Sequence, residues 1–487
     1  MLSGVLAMNI RVQDSKDLPL AVDLDGTLIA ADLLWESVFQ LLKKNPLLFL
    51  MLPIWLFSGG KARLKAEIAA RIEFDATSLP YRPEFLAFLQ AEKATGREII
   101  LVTAAADPFA KAVAAHLGLF NGYFASSATV NLAAKRKAAL LVERYGESGF
   151  DYAGNDRADI PVFEAARAAI VVAPDRVAHR YQQRTSARRF ERSAPTLKTY
   201  LKMLRVHQWL KNVLVFVPAV LAHEITNPAV MLPSLAAFVA FCAAASAIYI
   251  INDIIDLPLD RIHATKRNRP FANGMLTIPF GLSVSAALLA IAAGISVFLP
   301  PAFALVMVLY AVTTTAYSFA IKRMLLIDVL CLAGLYSLRL LAGKAAADLP
   351  PSFWLIAFGM FFFLSLALVK RFVELQTSKV SERDRIAGRG YRPEDISIVG
   401  QSGIASAFAA AMVLSLYIQS QEVIGYYTSP WLIWPLVPIV LYINVRIWIL
   451  AHRREMHDDP VVFIARDWRS QVVVAIGAAF MIAGSFA

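Results

Sequence analysis

From about Trp209 to the last residue, apolar positions run in long blocks broken by short polar loops, whereas before about Lys211 short apolar runs alternate with charged stretches. A bilayer-crossing helix needs about 20 mostly apolar residues. On that criterion the pattern predicts nine spans, at 209–223, 231–251, 279–298, 302–321, 325–345, 352–370, 400–420, 430–450 and 470–486. The first is the weakest, because Pro218 interrupts it and His223–Glu224 close it. In the front part, Leu18–Asp25 and Glu98–Thr103 are short buried-type strands separated by helical patterns, which predicts a parallel sheet. The expected architecture is multi-domain: an α/β parallel-sheet domain over 1–180 with a helical cap at about 30–95, an Arg-rich polar linker over 181–200, and an all-α nine-helix transmembrane bundle over 201–487.

Composition agrees. At 487 residues the chain is too long for one ordinary core, and with 58% hydrophobic and 17% charged residues it is too apolar for a soluble protein of that size. The net charge of +11 sits largely in loops between apolar blocks, a pattern of lipid orientation and phosphate binding that argues against nucleic acid. Alternate loops carry the basic residues: Arg261, Lys266, Arg267 and Arg269; Lys322 and Arg323; Lys370, Arg371, Lys379, Arg383, Arg385, Arg389 and Arg392; Arg453, Arg454, Arg466 and Arg469. The intervening loops have none, although Lys344 lies close to one. The positive-inside rule then places the basic loops and the front domain in the cytoplasm, on a multi-pass protein of the inner membrane. Cys242 and Cys331 lie inside apolar blocks and are read as small buried hydrophobes. Met1–Ile10 lacks the basic start of a secretory signal.

The loop after the second span reads Asn252-Asp253-Ile254-Ile255-Asp256-Leu257-Pro258-Leu259-Asp260-Arg261, then Lys266-Arg267-Asn268-Arg269-Pro270. On a helix continued to Asp256, Asn252 and Asp256 share a face and Asp260 extends it, with Pro258 as a point of bending. Oxygen side chains four residues apart can hold Mg²⁺ with positions left for substrate phosphates. An acidic helix end flanked by interfacial anchors is the plainer reading, but carboxylates crowded at a helix C-terminus oppose the helix dipole, and a bound cation accounts for them better. This motif resembles the first aspartate-rich motif of the UbiA-type prenyltransferase superfamily, nine-helix membrane enzymes. Further pieces resemble its decaprenyl-phosphate phosphoribosyltransferase branch: Arg205-x-His207-Gln208-Trp209-x-Lys211-Asn212, Tyr317-Ser318 with Lys322 and Asp328, Arg339-x-x-x-Gly343, Lys370-Arg371-x-x-Glu374, and Asp459-Pro460 with Asp467. The resemblance covers about 200–487. It implies that Asn252, Asp256 and Asp260, with Asp253 a further member, hold Mg²⁺ and pyrophosphate, and that Lys266, Arg267 and Arg269 clamp phosphates. Lys211, Tyr317, Lys322, Arg339, Lys370 and Arg371 are the remaining substrate candidates. Arg339 lies within an apolar block, where an ionisable residue marks a functional site or a structural ion pair. Lys370 and Arg371 fit either the site or a positive-inside anchor. The superfamily's second acidic motif usually has paired aspartates, whereas Glu374 stands alone here.

In the front domain, Pro19-Leu20-Ala21-Val22-Asp23-Leu24-Asp25 ends in Gly26-Thr27-Leu28. Two aspartates two apart project to the same side of a strand end, the first suited to nucleophilic attack. This resembles the first motif of the haloacid-dehalogenase superfamily. Glu98–Thr103, Lys137 (with Lys135 an alternative) and Phe150–Asp159 follow in that superfamily's order, over roughly 18–180. The resemblance implies an aspartyl-phosphate at Asp23 and a general acid–base at Asp25. Thr103 and Lys137 would hold the phosphoryl group. Mg²⁺ would sit on Asp23, the Asp25 carbonyl and the segment carrying Asn155, Asp156 and Asp159. Asn155 stands where the family usually has Asp, which lowers the charge of the metal site.

Within the cap region, Asn45–Phe57 is very apolar but too short to span; a buried cap helix and a membrane-surface segment both fit, and a lipid substrate favours the second. The combined expectation is a Mg²⁺-dependent enzyme. It transfers 5-phosphoribosyl from phosphoribosyl pyrophosphate to polyprenyl phosphate, and the front domain then removes the 5-phosphate to give an activated pentose for an arabinose-type glycoconjugate of the cell wall. The rival enzyme is a transferase of prenyl groups from a polyprenyl diphosphate to an aromatic acceptor, with a regulatory or inactive front domain; the rival outside catalysis is a lipid transporter or scaffold.

Overall fold

The computed structural model describes residues 18–191, 194–350, 352–377, 390–421, 427–456 and 459–486. Met1–Ile10 and the basic positions Lys379, Arg383, Arg385 and Arg389 lie outside the described residues. The chain forms two compact units, one running to Met203 and joined by Ile251–Leu282, the other made of Leu204–Ile250 and Ser283–Ala487.

The first unit is built on a six-stranded, all-parallel sheet in the order β3-β2-β1-β4-β5-β6. The strands are β1 (Leu20–Val22), β2 (Ile99–Ala106), β3 (Gly122–Ser126), β4 (Asp151–Gly154), β5 (Ala168–Val172) and β6 (Arg188–Phe190). Alternation along the strands loads both faces: Leu20 and Val22 enter one core with Ile99 and Leu101, while Ala21 enters the other with Ile100 and Val102. Helices α1 (Leu33–Lys44), α2 (Met51–Ala69) and α3 (Pro83–Ala94) occupy the stretch between β1 and β2 where a cap was expected. The remaining crossovers are α4 (Asp107–Leu117), α5 (Lys135–Tyr145), α6 (Ile160–Ala165) and α7 (Arg176–Thr185). Residues of α3 and α4 close one face of the sheet, and residues of α5, α6 and α7 close the other. Strand β6 pairs with β5 and takes Arg188–Phe190, part of the Arg-rich stretch, into the sheet. The unit continues through α8 (Leu197–Leu204).

Beyond Met203 the chain is helical. A 3-10 run over Val206–Phe216 leads into α9 (Val217–Leu221), with Pro218 in the first turn, where a missing N–H costs nothing. Then come α10 (Pro228–Ile255), α11 (Leu257–Ile262), α12 (Ile278–Val297), α13 (Pro301–Phe319), α14 (Ile327–Ala346), α15 (Phe353–Thr377), α16 (Ile396–Ile418), α17 (Leu436–His452), α18 (Pro460–Arg466) and α19 (Trp468–Phe486). Among the described residues nine helices are long and apolar enough to cross a membrane; eight of them are α10, α12 to α17 and α19, and the ninth is Pro46–Ala69. Val206–Leu221, the weakest expected span, is apolar but shorter. In lipid every backbone polar group must be paired within the chain, and helices achieve that. The chain is a multi-pass membrane protein.

Candidate functional site

Asp23 follows the last residue of β1, the strand whose neighbours lead away in opposite directions and whose end therefore opens a crevice. Its Oδ1 lies 2.7 Å from Lys137 Nζ, delivered by the first turn of α5. The same ammonium donates to the Tyr152 hydroxyl at 2.8 Å and to Asp159 Oδ1 at 3.4 Å, and Tyr152 donates to Asp159 at 2.5 Å. Thr27 Oγ1 lies 3.4 Å from Asp23 Oδ2 and 3.2 Å from Asn155 Oδ1, so the two oxygens face one spot. Asp159 Oδ2 accepts from the Asn155 and Asp156 amides at 2.9 and 3.3 Å and shapes their turn, whereas Asp156 caps that turn by accepting from Ala158 N at 2.7 Å. Thr103 is buried in β2, its hydroxyl accepting from Ala105 N at 3.0 Å. Gly26 has φ +75°, and a Cβ there would lie 2.2 Å from Asn155 Nδ2; both facts require glycine.

Electrostatics sort the groups into roles. Burial raises the Asp23 carboxyl to about 7, with Lys137 pulling the other way. Burial also lifts Asp25 well above the ordinary carboxylate range, and the Asp32 charge adds to it. Asp25 Oδ1 accepts from Leu33 N at 2.9 Å, the amide that opens α1. Burial alone would lower Lys137, but Asp23 and Asp159 outweigh it and hold the ammonium above its usual range. The cluster therefore pairs one buried carboxyl with a fixed cation and sets a second carboxyl, raised above the ordinary carboxylate range, beside it, an arrangement suited to proton transfer.

The aspartate-rich loop lies in the same unit. The bonds Asp256 N to Asn252 O and Asp260 N to Asp256 O, both 2.9 Å, carry the helical period across the break between α10 and α11. Arg269 Nη1 reaches Asp253 Oδ1 at 3.0 Å and Asp260 Oδ2 at 2.5 Å, so those carboxylates converge on one nitrogen. Asp256 turns to Lys43 of α1, at 2.7 Å. Arg261 grips both Glu36 oxygens, at 2.8 and 2.5 Å. Gly274, φ +72°, passes so close to Ala30 that a Cβ would lie 2.2 Å from its carbonyl oxygen. Lys266 and Arg267 stand exposed on a 3-10 turn.

In the second unit Lys211 Nζ pairs with Asp459 Oδ2 at 2.6 Å, Lys370 Nζ lies 3.8 Å from the same oxygen, and Tyr336 donates to Asp459 Oδ1 at 3.4 Å. Arg339 donates to Asn212 Oδ1 at 2.9 Å and to the Tyr310 hydroxyl at 3.3 Å, its guanidinium over both the Tyr310 and Tyr336 rings. Lys211, Arg339 and Lys370 thus come together around Tyr336 and Asp459. Arg371 does not join them: it is fully buried against Asp328 at 2.7 Å and against Glu374, and Tyr391 donates to Asp328 at 2.7 Å. Tyr317 lies near the end of α13 and Lys322 on the following turn, both partly exposed. An apolar cavity of about 680 Å³ lies along α15, α16 and α17, lined by Phe372, Ile404, Phe408 and Trp448, with His452 and Arg453 at one end.

Residues 213–466 match the UbiA prenyltransferase family, and residues 20–164 match the haloacid dehalogenase-like hydrolases. An uncharacterized protein of Sinorhizobium fredii, y4nM, is 38% identical over 476 residues, which covers 96% of this chain and 91% of that one. The decaprenyl-phosphate phosphoribosyltransferase of Corynebacterium glutamicum is 33% identical over 250 residues, 50% of this chain and 74% of that one. A solved UbiA homolog from Archaeoglobus fulgidus, bound to GPP and Mg²⁺, aligns at 16% identity and a TM-score of 0.46 over 59% of this chain and all of that one.

The chain belongs to the UbiA prenyltransferase family. Its front domain is haloacid-dehalogenase-like. No group of three or more His, Cys, Asp or Glu side chains stands as a ready metal cage among the described residues. The oxygens present nevertheless fit Mg²⁺, which takes few protein ligands and keeps sites for water and phosphate. In the front domain these are the Asp23 and Asn155 oxygens that share Thr27; in the UbiA aspartate-rich loop they are Asp253 and Asp260, already gathered around one cationic nitrogen. Sequence reading missed Tyr152, whose place on a buried strand looks like that of a core aromatic, and Lys65 of α2, which bonds Ala104 O at 2.5 Å and Asn131 Oδ1 at 3.0 Å. It also missed Tyr336 and Lys43. For Tyr152 the signal was local, an aromatic two residues before Gly154 of the metal motif; Lys65 and Lys43 arrive from the cap with no such mark.

Proposed function

We propose that this UbiA-family protein transfers the 5-phosphoribosyl group of phosphoribosyl pyrophosphate to a polyprenyl phosphate, and that its front domain hydrolyses the 5-phosphate of the product. A lipid phosphate oxygen forms a bond to C1 of the ribose as the bond from C1 to pyrophosphate breaks. The observation that carries the reading is the aspartate-rich loop. Two carboxylates converge on Arg269 there, and Lys266 and Arg267 stand exposed beside them. That combination suits a pyrophosphate held partly through a divalent ion and partly through cations. Mg²⁺ at this loop would neutralise charge building on the leaving pyrophosphate. Kinship with the Corynebacterium phosphoribosyltransferase supports the sugar donor over a prenyl donor. The Lys211, Arg339 and Lys370 group offers further cationic contacts for phosphate, and the basic loops support a cytoplasmic front domain on a protein of the inner membrane.

The fused front domain supports the second step, because the first product carries a phosphomonoester. Asp23 would attack the phosphorus while Asp25 protonates the departing ribose oxygen; water, deprotonated by Asp25, would then cleave the aspartyl-phosphate and free phosphate. Lys137 holds Asp23 in line and balances the phosphoryl charge. An activated pentose for cell-wall arabinose chemistry is the product this sequence of steps would deliver.

The test is incubation of the purified chain and Mg²⁺ with polyprenyl phosphate and labelled phosphoribosyl pyrophosphate, with lipid products weighed by mass. The expected product is a phosphoribosyl lipid that loses one further phosphate with time, and Asp23→Asn should stop at the phosphorylated form. Product formed only from a prenyl diphosphate and an aromatic acid would replace the sugar reading by prenyl transfer.

A further inference from the structure

The apolar stretch Pro46–Phe57 bares most of its large side chains. Leu47 is 75% and Phe57 88% exposed, and Phe49, Leu50, Ile54 and Leu56 are exposed as well. A contiguous apolar patch of this kind marks a contact with lipid or with another protein. Trp55 turns inward, packed with Leu41, Leu64 and Ile68 and lying 4.8 Å beneath the Arg71 guanidinium, and Leu48, Met51 and Leu52 lean partly buried against the same cluster.

Three observations select lipid. First, the segment is anchored at a membrane helix end. Lys43 donates to Ile255 O at 3.4 Å and pairs with Asp256, and Ile255 is the last residue of α10, whose spanning window has a mean hydropathy of 2.2. Pro46 follows Lys43 by only three residues, a tether of about 10 Å of extended chain. Second, the segment leaves the α/β domain and returns to it. Leu33 and Leu41 before it, and Ile68 and Ala69 after it, belong to cores of the same unit. Although Pro46–Ala69 is long and apolar enough to cross a bilayer, the chain cannot cross and come back within it. Gly59 and Gly60 (φ +66°, ψ −162°) break α2 at the point of return. Third, Lys61 and Arg63 stand exposed just after that break, where cations meet anionic headgroups while their stems lie along apolar surface.

We propose that Pro46–Phe57 is a half-inserted membrane loop. It dips into the leaflet at the end of α10 and does not span it. The same helix α2 then delivers Lys65 to Ala104 and Asn131, at the edge of the front site. The loop therefore fixes the phosphatase crevice to the lipid surface and selects a phosphomonoester carried on a lipid; this last consequence rests on the phosphatase reading above.

The experiment uses the full chain in nanodiscs of phosphatidylcholine and phosphatidylglycerol, with Cys242 and Cys331 replaced by alanine and a spin label at Phe57→Cys, Phe49→Cys or, as an exposed control, Val130→Cys. Power saturation with oxygen and with a water-soluble nickel chelate reads depth. The labels at 57 and 49 should be oxygen-accessible and nickel-protected, and the label at 130 the reverse. Nickel access at 57 and 49 equal to that at 130 overturns insertion. Protection from both relaxants also overturns it, in favour of a protein contact. In a second arm, Leu50→Asp/Phe57→Asp should slow hydrolysis of the lipid-linked phosphomonoester at least tenfold and leave p-nitrophenyl phosphate hydrolysis unchanged. Equal rates on the lipid substrate overturn the role in selection. Failure of the wild-type chain to hydrolyse either compound counts against the phosphatase reading, while the depth measurement still decides insertion.

Discussion

Asp25 shows how one carboxyl can be tuned by where a helix begins. Its oxygen takes the first amide of α1, yet burial holds it well above the ordinary carboxylate range. A carboxyl raised by folding favours the protonated form. It therefore contributes most stability at pH below its unfolded value, and that contribution is lost as pH rises through the folded value. Asparagine imitates the protonated group at every pH and keeps the acceptor for Leu33 N. Metal-free Asp25→Asn should melt above the wild-type chain at pH 8, with the gap closing toward pH 4. Each unit of elevation is worth about 1.4 kcal/mol. Thermal unfolding in detergent with a chelator measures it, and equal melting at pH 8 would mean the carboxyl ionises freely. Asp23, Asp25 and Asn155 were legible from sequence because each sits in the turn after a strand end, and Lys137 because it opens a helix in the expected order between two such strands. Lys65 was not, since a lysine in an apolar cap announces nothing until the cap has folded over the sheet.

At the scale of the element, length and hydropathy were enough to place the eight long helices after Pro228. They could not say which way a given side chain points. Lys370 and Arg371 are neighbours on α15, rotated about 100° apart. One faces Asp459 and the other is sealed against Asp328 and Glu374. Sequence reading left both open between site and anchor, because adjacent basic residues look alike until their partners are known. The two faces predict opposite behaviour under mutation. Arg371→Leu strands Asp328 as a buried charge, at a cost of about 3–5 kcal/mol, and should show as loss of folded protein on size-exclusion chromatography. Lys370→Gln, at the exposed end of its contact with Asp459, should leave the folded yield intact and weaken phosphoribosyl pyrophosphate binding about tenfold, read by titration of labelled donor.

For the whole molecule, the part that sequence order hid is the membership of Ile251–Leu282 in the unit built on the α/β sheet. The pairs that join it, Glu36 with Arg261 and Lys43 with Asp256, connect positions 225 and 213 residues apart, a separation that no local pattern can bridge. Lys43 places an ammonium on Asp256, one of the groups expected to serve a divalent ion. Lys43→Met should therefore tighten Mn²⁺ binding to the loop by about fivefold, on the scale of one partly exposed ion pair removed, as read by paramagnetic titration in nanodiscs. Unchanged affinity would show that Asp256 takes no part. Helix α1 also gives the two chemistries a common lever. Its first amide holds Asp25, its last turn holds Asp256, and its 12 residues put about 18 Å between them. A ligand that pulls on either end works against the other, and thermodynamic reciprocity makes the effect equal in both directions. A phosphate mimic filling the crevice beside Asp23 should then shift the Mn²⁺ titration of the wild-type chain and leave that of Lys43→Met where it was. On the function proposed above, occupancy of one site would set the metal affinity of the other.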